Sequence, residues 1–139
     1  MEEPLGWAGK QTSKERFPMD EVKQHVLDSF HLMWDMFPGP VMLVHASRTI
    51  LAVNQVAAGL GICAGVTCHS LSASDAPCKG CLAAKALRQG AGVRSTAWSQ
   101  KSRKFMDAFW SPVAGEKDIF VHFGNDITEF VRAELLPQE

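Results

Sequence analysis

Pro38-Gly39-Pro40 divides this chain into two kinds of sequence, because no helix can run through it. Proline lacks the N–H that a helix interior needs and pushes the residue before it out of the helical region. Upstream of the divide the apolar period is helical. In DEVKQHVLDSFHLMWDMF, residues 20–37, Val22, Val26, Ser29/Phe30, Met33 and Phe37 recur at three- and four-residue steps. That is an amphipathic helix, with Asp20 as its N-cap.

Downstream the period shortens. VMLVH (41–45) and TILAV (49–53) are compact β-branched runs, and Ala46-Ser47-Arg48 between them is a turn, so the pair predicts a hairpin. Asn54 stands where a short helix, QVAAGLG, needs an N-cap. Leu82 to Arg88 are helix formers, and Gly90 suits the C-terminal cap. Strands follow over 93–98 and 105–113, joined by the basic turn SQKSRK, and a last one over 119–123 after GEK. In that last run Ile119, Val121 and Phe123 share one face while Phe120 and His122 share the other. The tail ITEFVRAELLPQE reads as a helical extension. Two strands, then helices, then a three-strand meander predict an α+β fold: a five-stranded antiparallel sheet with helices gathered on one face, preceded by the amphipathic helix. The sheet and helices enclose the core, and a cavity is expected there. His45 and His122 on strands, with Asn54 and Phe109, are its candidate lining.

A length of 139 residues fits one domain. Residues 1–18 read as a flexible arm, 19–37 as the helix, 38–130 as the domain, and 131–139 as a tail or the start of a connecting helix. The chain is 46% hydrophobic and 21% charged, with a formal net charge of -1. That balance offers no basic stripe for nucleic acid and no attraction to an anionic membrane. The apolar runs are too short to span a bilayer, and MEEPLGWAGKQTSKERF does not read as a secretory signal. A cytoplasmic location is expected, where thiols stay reduced and clustered cysteines point to metal or redox chemistry. The acidic residues are scattered and there is no phosphate loop, so no catalytic arrangement is expected.

All four cysteines lie in GICAGVTCHSLSASDAPCKGC, residues 61–81, spaced Cys63-x4-Cys68-x9-Cys78-x2-Cys81 with His69 beside the second. Cys78 and Cys81 are predicted on one side of a helix's first turn, whose positive end favours thiolate. Asp75-Ala76-Pro77 makes a tight approach through which Cys68 folds back to meet them. Three chemical readings follow: an iron-sulfur cluster on four thiolates, a zinc site drawn from these cysteines and His69, or a metal-free dithiol switch. Against them stands cysteine as a small buried hydrophobe, for which Cys63 after its apolar helix is the best case.

Four stretches together resemble a PAS domain, the small sensory module of bacterial signalling proteins. They are FPGPVMLVHASRTILAVNQVAAGLGI with its Asn54, CLAAKALRQG as the helix crossing the sheet, FMDAFWSPV with Ser111 and Pro112, and GNDITEF with Asp126, Ile127 and Thr128. The resemblance covers about residues 37–130. It implies a sensor, dimeric through its N-terminal helix, that passes a ligand-dependent change to an output domain or a partner such as a histidine kinase. Thirteen residues follow Asp126, so the resemblance implies a stand-alone regulator or a fragment. Some oxygen-responsive kinases carry an iron-sulfur cluster on such a domain, with two-residue gaps in both cysteine pairs; here the first gap is four. No Asn-Cys-Arg run argues against flavin, and residues 78–90 hold no histidine for haem. The contrasting expectation is a ligand-free interaction module with structural cysteines, joining two chains through residues 20–37.

Overall fold

A computed structural model of the chain describes residues 22–72 and 75–138. The expected N-cap, Asp20, and the expected arm over 1–18 lie outside the described residues. Helix α1 (Gln24–Trp34) leads into strands β1 (Val41–His45) and β2 (Ile50–Val53), then α2 (Gln55–Gly59) and α3 (Ala83–Gln89). Strands β3 (Val93–Ser99), β4 (Lys104–Pro112) and β5 (Ile119–Asp126) complete a five-stranded sheet of order β2-β1-β5-β4-β3. Every neighbouring pair is antiparallel. The fold is α+β. Among the described residues no helix is long and apolar enough to cross a membrane.

The register sorts the side chains between two faces. Val41 lies opposite Phe123 and Leu43 opposite Val121, while Val44 lies opposite Phe120 and Met42 opposite His122. Both faces of β1 and β5 are therefore apolar, and both must be covered. The N-terminal amphipathic helix, whose face the sequence did not specify, covers the side opposite α3. Val26 and Phe30 of α1 pack with Val41, Leu43, Ile119 and Val121 on one face, and Ala83 and Ala86 of α3 pack with Val44, Trp110 and Phe120 on the other. The first helix is thus half of the core's roof. Its buried stripe runs Val26–Phe30–Trp34, at four-residue steps, so Met33, expected inside, is 71% exposed. Trp34, Phe37 and Phe109 meet around Phe123, with ring centroids 5.2, 5.5 and 4.9 Å away. Beyond the reach of α1, Arg94 covers the same face, donating 2.7 and 2.9 Å hydrogen bonds to the buried carboxylate of Asp107.

Two caps work as the sequence suggests. Asn54 accepts from the Ala57 N–H at 3.1 Å, and Gly90, at φ 65°, closes α3 in the left-handed region that favours glycine. The register of β1 and β2 shifts beside Leu43, because Ala52 faces Leu43 while Ile50 faces Val44. Leu51 is the extra residue, and the bulge lets three consecutive side chains be buried. The tail differs from expectation. It forms two 3-10 turns, Thr128–Phe130 and Ala133–Leu135, with Val131 and Arg132 extended at the ends that meet. So short a segment gains too few internal bonds to nucleate a helix without a packing partner.

Candidate thiol site

The cysteine segment is held at two points. Its first part runs along the free rim of β2: Gly65 donates to the Ile50 carbonyl, Ile50 to Val66 and Cys68 to Arg48, each at 2.8 Å. Cys68 thereby opens a 3-10 turn, Cys68–Ser72. The second anchor is α3. Cys81 precedes that helix by two residues, and its N–H donates to the Cys78 carbonyl at 3.0 Å, closing a turn over Lys79-Gly80. The helix starts at Ala83, not at the cysteines as the spacing predicts. Gly80 is a poor helix former and Pro77 restricts the backbone before it, so a turn forms where the first helical turn was expected. The dipole argument for these two thiols lapses with it.

Cys68 and Cys81 are half-buried and pack against one apolar cluster, that of Val44, Ala83, Ala86, Trp110 and Phe120; Cys78 and Cys63 are exposed. Burial pushes the Cys68 thiol above its ordinary pKa, and negative charge at Cys81 and then Cys78 pushes the same way, while the Arg48 guanidinium opposes. Cys81 and Cys78 are thus near enough to Cys68 to act on it electrostatically. All four are free thiols. Among the described residues no three His, Cys, Asp or Glu side chains form a set that could hold a metal ion.

Two polar atoms beside Cys68 have no hydrogen-bond partner. His69, the next residue, is only 8% exposed and its Nδ1 is orphaned; so is Nε of Arg48, whose carbonyl holds the Cys68 N–H. Each orphan costs free energy. Arg48 also sits at φ 78°, a left-handed conformation strained for a long side chain, with Nη1 turned back onto the Ala46 carbonyl. Sequence reasoning missed Arg48, since a turn arginine carries no signal of which strand end or loop it will meet.

The four residues expected to line a cavity do not converge. His45 sits on the α1 face, opposite Ile119, and bonds Ser47 through Nδ1 at 3.0 Å. Phe109 stacks on Phe123 on that same face, whereas His122 stacks on Trp110 beneath α3, with centroids 4.9 Å apart. Asn54 is fully buried and engaged by backbone on every side. Clefts of about 710 and 500 Å³ lie at opposite ends of the sheet, one along residues 112–119 and one beside Pro38-Gly39-Pro40. No family model matches the chain, and no curated protein matches it.

His122 gives the first testable expectation. Its Nδ1–H donates to the Phe109 carbonyl at 2.8 Å, and burial holds the ring neutral, its pKa lowered, although that bond partly offsets the effect. The unfolded histidine protonates near pH 6.5, so below that value the unfolded state binds the extra proton. Stability is therefore complete above about pH 6.5 and falls as the pH drops toward the folded pKa, by at most about 1.4 kcal/mol per pH unit. Urea midpoints for the wild type and His122→Gln between pH 5 and 8 check this. Curves of equal slope below pH 6.5 would refute it.

Proposed function

We propose that this chain is a PAS-type sensory domain that reads the state of Cys68, Cys78 and Cys81 and passes the change to a partner. The observation that carries the reading is that Cys68 on the β2 rim and Cys81 at the turn into α3 pack against the same apolar cluster, with Cys81 and Cys78 near enough for their charge to raise the Cys68 pKa. A bond or ion joining them pulls α3 and the β1–β2 hairpin on each other. The hairpin, the Asn-led helix, the helix over the sheet and the meander stand in the order the resemblance implies. Asp126 and Thr128 of the terminal motif lace β5 to β4: Thr128 donates to Asp126 and accepts from the Phe105 N–H. Leu32 and Met33 on the outer side of α1, with Met36 in the turn after it, are the apolar surface for a second chain or an output partner such as a kinase. The reading needs a reducing compartment, the cytoplasm.

A metal-dependent version is favoured by one feature, the orphaned Nδ1 of His69. Three thiolates and an imidazole are a zinc donor set, but among the described residues no three of these side chains are grouped to hold a metal, so zinc would have to draw them together. A four-thiolate iron-sulfur cluster would require Cys63 to be drawn in as well.

The test uses the full chain, reduced, oxidised, and with zinc. Free thiols and bound metal are counted, and amide exchange is followed in α3. We expect a change in thiol state to alter exchange over residues 83–89. Thiols inert to oxidant and zinc, with exchange unchanged, would leave the ligand-free interaction module in its place.

A further inference from the structure

We infer that Cys78 and Cys81 are the pair that closes into a disulfide when hydrogen peroxide reaches the protein, with Cys78 attacking and Cys81 resolving, while Cys68 stays a thiol. The inference rests on the proposal that the thiols are the responsive element, and it assigns their roles.

Geometry selects the pair. A four-residue turn holds its first and last Cα atoms within about 7 Å of one another, and a disulfide spans about 4.4–6.8 Å between Cα atoms. The Cys81 N–H bond to the Cys78 carbonyl is the bond that closes such a turn. The turn therefore already holds the two backbone positions near disulfide range, and only side-chain rotation need bring the sulfurs together. Cys68 is fixed on the other anchor, by its N–H to Arg48, and reaching either partner needs the rim of β2 and the turn to shift together.

Accessibility assigns the order. Cys78 is exposed and meets solvent oxidant first, whereas Cys81 is half-buried against Trp110 and Phe120. Thiolate is the reactive form. For Cys68, burial and then negative charge on Cys81 and Cys78 favour the protonated form, which slows its attack.

The chemistry balances in two steps. The Cys78 thiol gives up its proton and its sulfur attacks one peroxide oxygen; the O–O bond breaks, sulfenic acid forms on Cys78, and water leaves. The Cys81 sulfur then attacks the sulfenic sulfur, the S–O bond breaks, and a second water leaves carrying the Cys81 proton. Peroxide is reduced by two electrons and the dithiol is oxidised by two. The closed ring ends one residue before Leu82, the cap of α3, so the bond forms at the entrance to the helix that covers the inner face.

The full-length protein is reduced, freed of reductant and treated with hydrogen peroxide, then alkylated and digested with trypsin. Cleavage after Lys79 separates the two cysteines, so the disulfide joins two peptides, and fragmentation within residues 49–79 names the partner. We expect two of the four thiols to be lost and the bond to join Cys78 and Cys81. Cys68→Ser should close the bond at an unchanged rate. Cys81→Ser should stop at sulfenic acid on Cys78, trapped by dimedone. A bond that includes Cys68 or Cys63, loss of the bond in Cys68→Ser, or sulfinic acid on Cys78 without any bond would overturn the pairing while leaving a thiol-responsive domain. Four thiols untouched by peroxide would overturn it as well, and if zinc and exchange also show no response, the functional reading falls with it.

Discussion

Asn54→Ala should lower the folding free energy by about 3–5 kcal/mol, a large part of the roughly 5–15 kcal/mol that holds a typical domain together. Asn54 is 0% exposed and ties three segments at once. Its Oδ1 accepts from the Val41 N–H at 2.9 Å and from the Ala57 N–H at 3.1 Å; its Nδ2 donates to the carbonyls of Gly39 at 2.8 Å and Trp34 at 3.0 Å. Alanine leaves two buried N–H groups without an acceptor, each costing about 1–3 kcal/mol, besides the cap of α2. Asn54→Asp separates the halves of the network, because it keeps both accepted bonds and loses both donated ones. Chemical denaturation of both variants is the measurement. An alanine variant within about 1 kcal/mol of wild type would mean that water replaces the side chain and that Asn54 is an ordinary cap.

Phe120→Ala is expected to cost a similar amount, about 3–5 kcal/mol, and to reach the thiols as well. Phe120 is 1% exposed, stands opposite Val44 and Pro112, and belongs to the cluster on which Cys68 and Cys81 rest. A cavity there loosens α3 and wets both sulfurs. Alkylation of Cys68 and Cys81 should accelerate in folded Phe120→Ala, whereas a comparable cavity on the opposite face, from Leu43→Ala, should destabilise the protein without that acceleration. Equal acceleration in both variants would show only general loosening and not a connection between Phe120 and the thiols.

Much of the scaffold was legible in the chain because its signals are local. Pro38-Gly39-Pro40 stops a helix wherever it lies, Asn54 caps whatever helix begins after it, and Gly90 takes a left-handed φ whatever surrounds it. The alternation through Ile119–Phe123 even records both faces of β5. Which helix covers which face is a different kind of information. It depends on where α1 lands after the proline turn, and no residue in α1 encodes that alone; Met33 and Trp34 both suit an apolar stripe, and the sheet chooses Trp34. The candidate site was legible to the same degree. Cys68 and Cys81 meet one apolar cluster, yet the spacing C-x-x-C fits a helix turn and a β-turn equally well. Arg48 and His69 acquire their meaning from the stitching of residues 65–68 to the β2 rim, a long-range pairing without a sequence signature.

That stitching also bears on assembly. In a flat list of strands both outer ones would offer bare backbone to a neighbour, and units could add without limit. Here residues 65–68 bond Arg48 and Ile50 and so cover the start of the β2 margin, whereas among the described residues no strand lies beyond β3. Strand addition is thus hindered where β2 begins and unhindered along β3, so the two margins of the sheet are not equivalent.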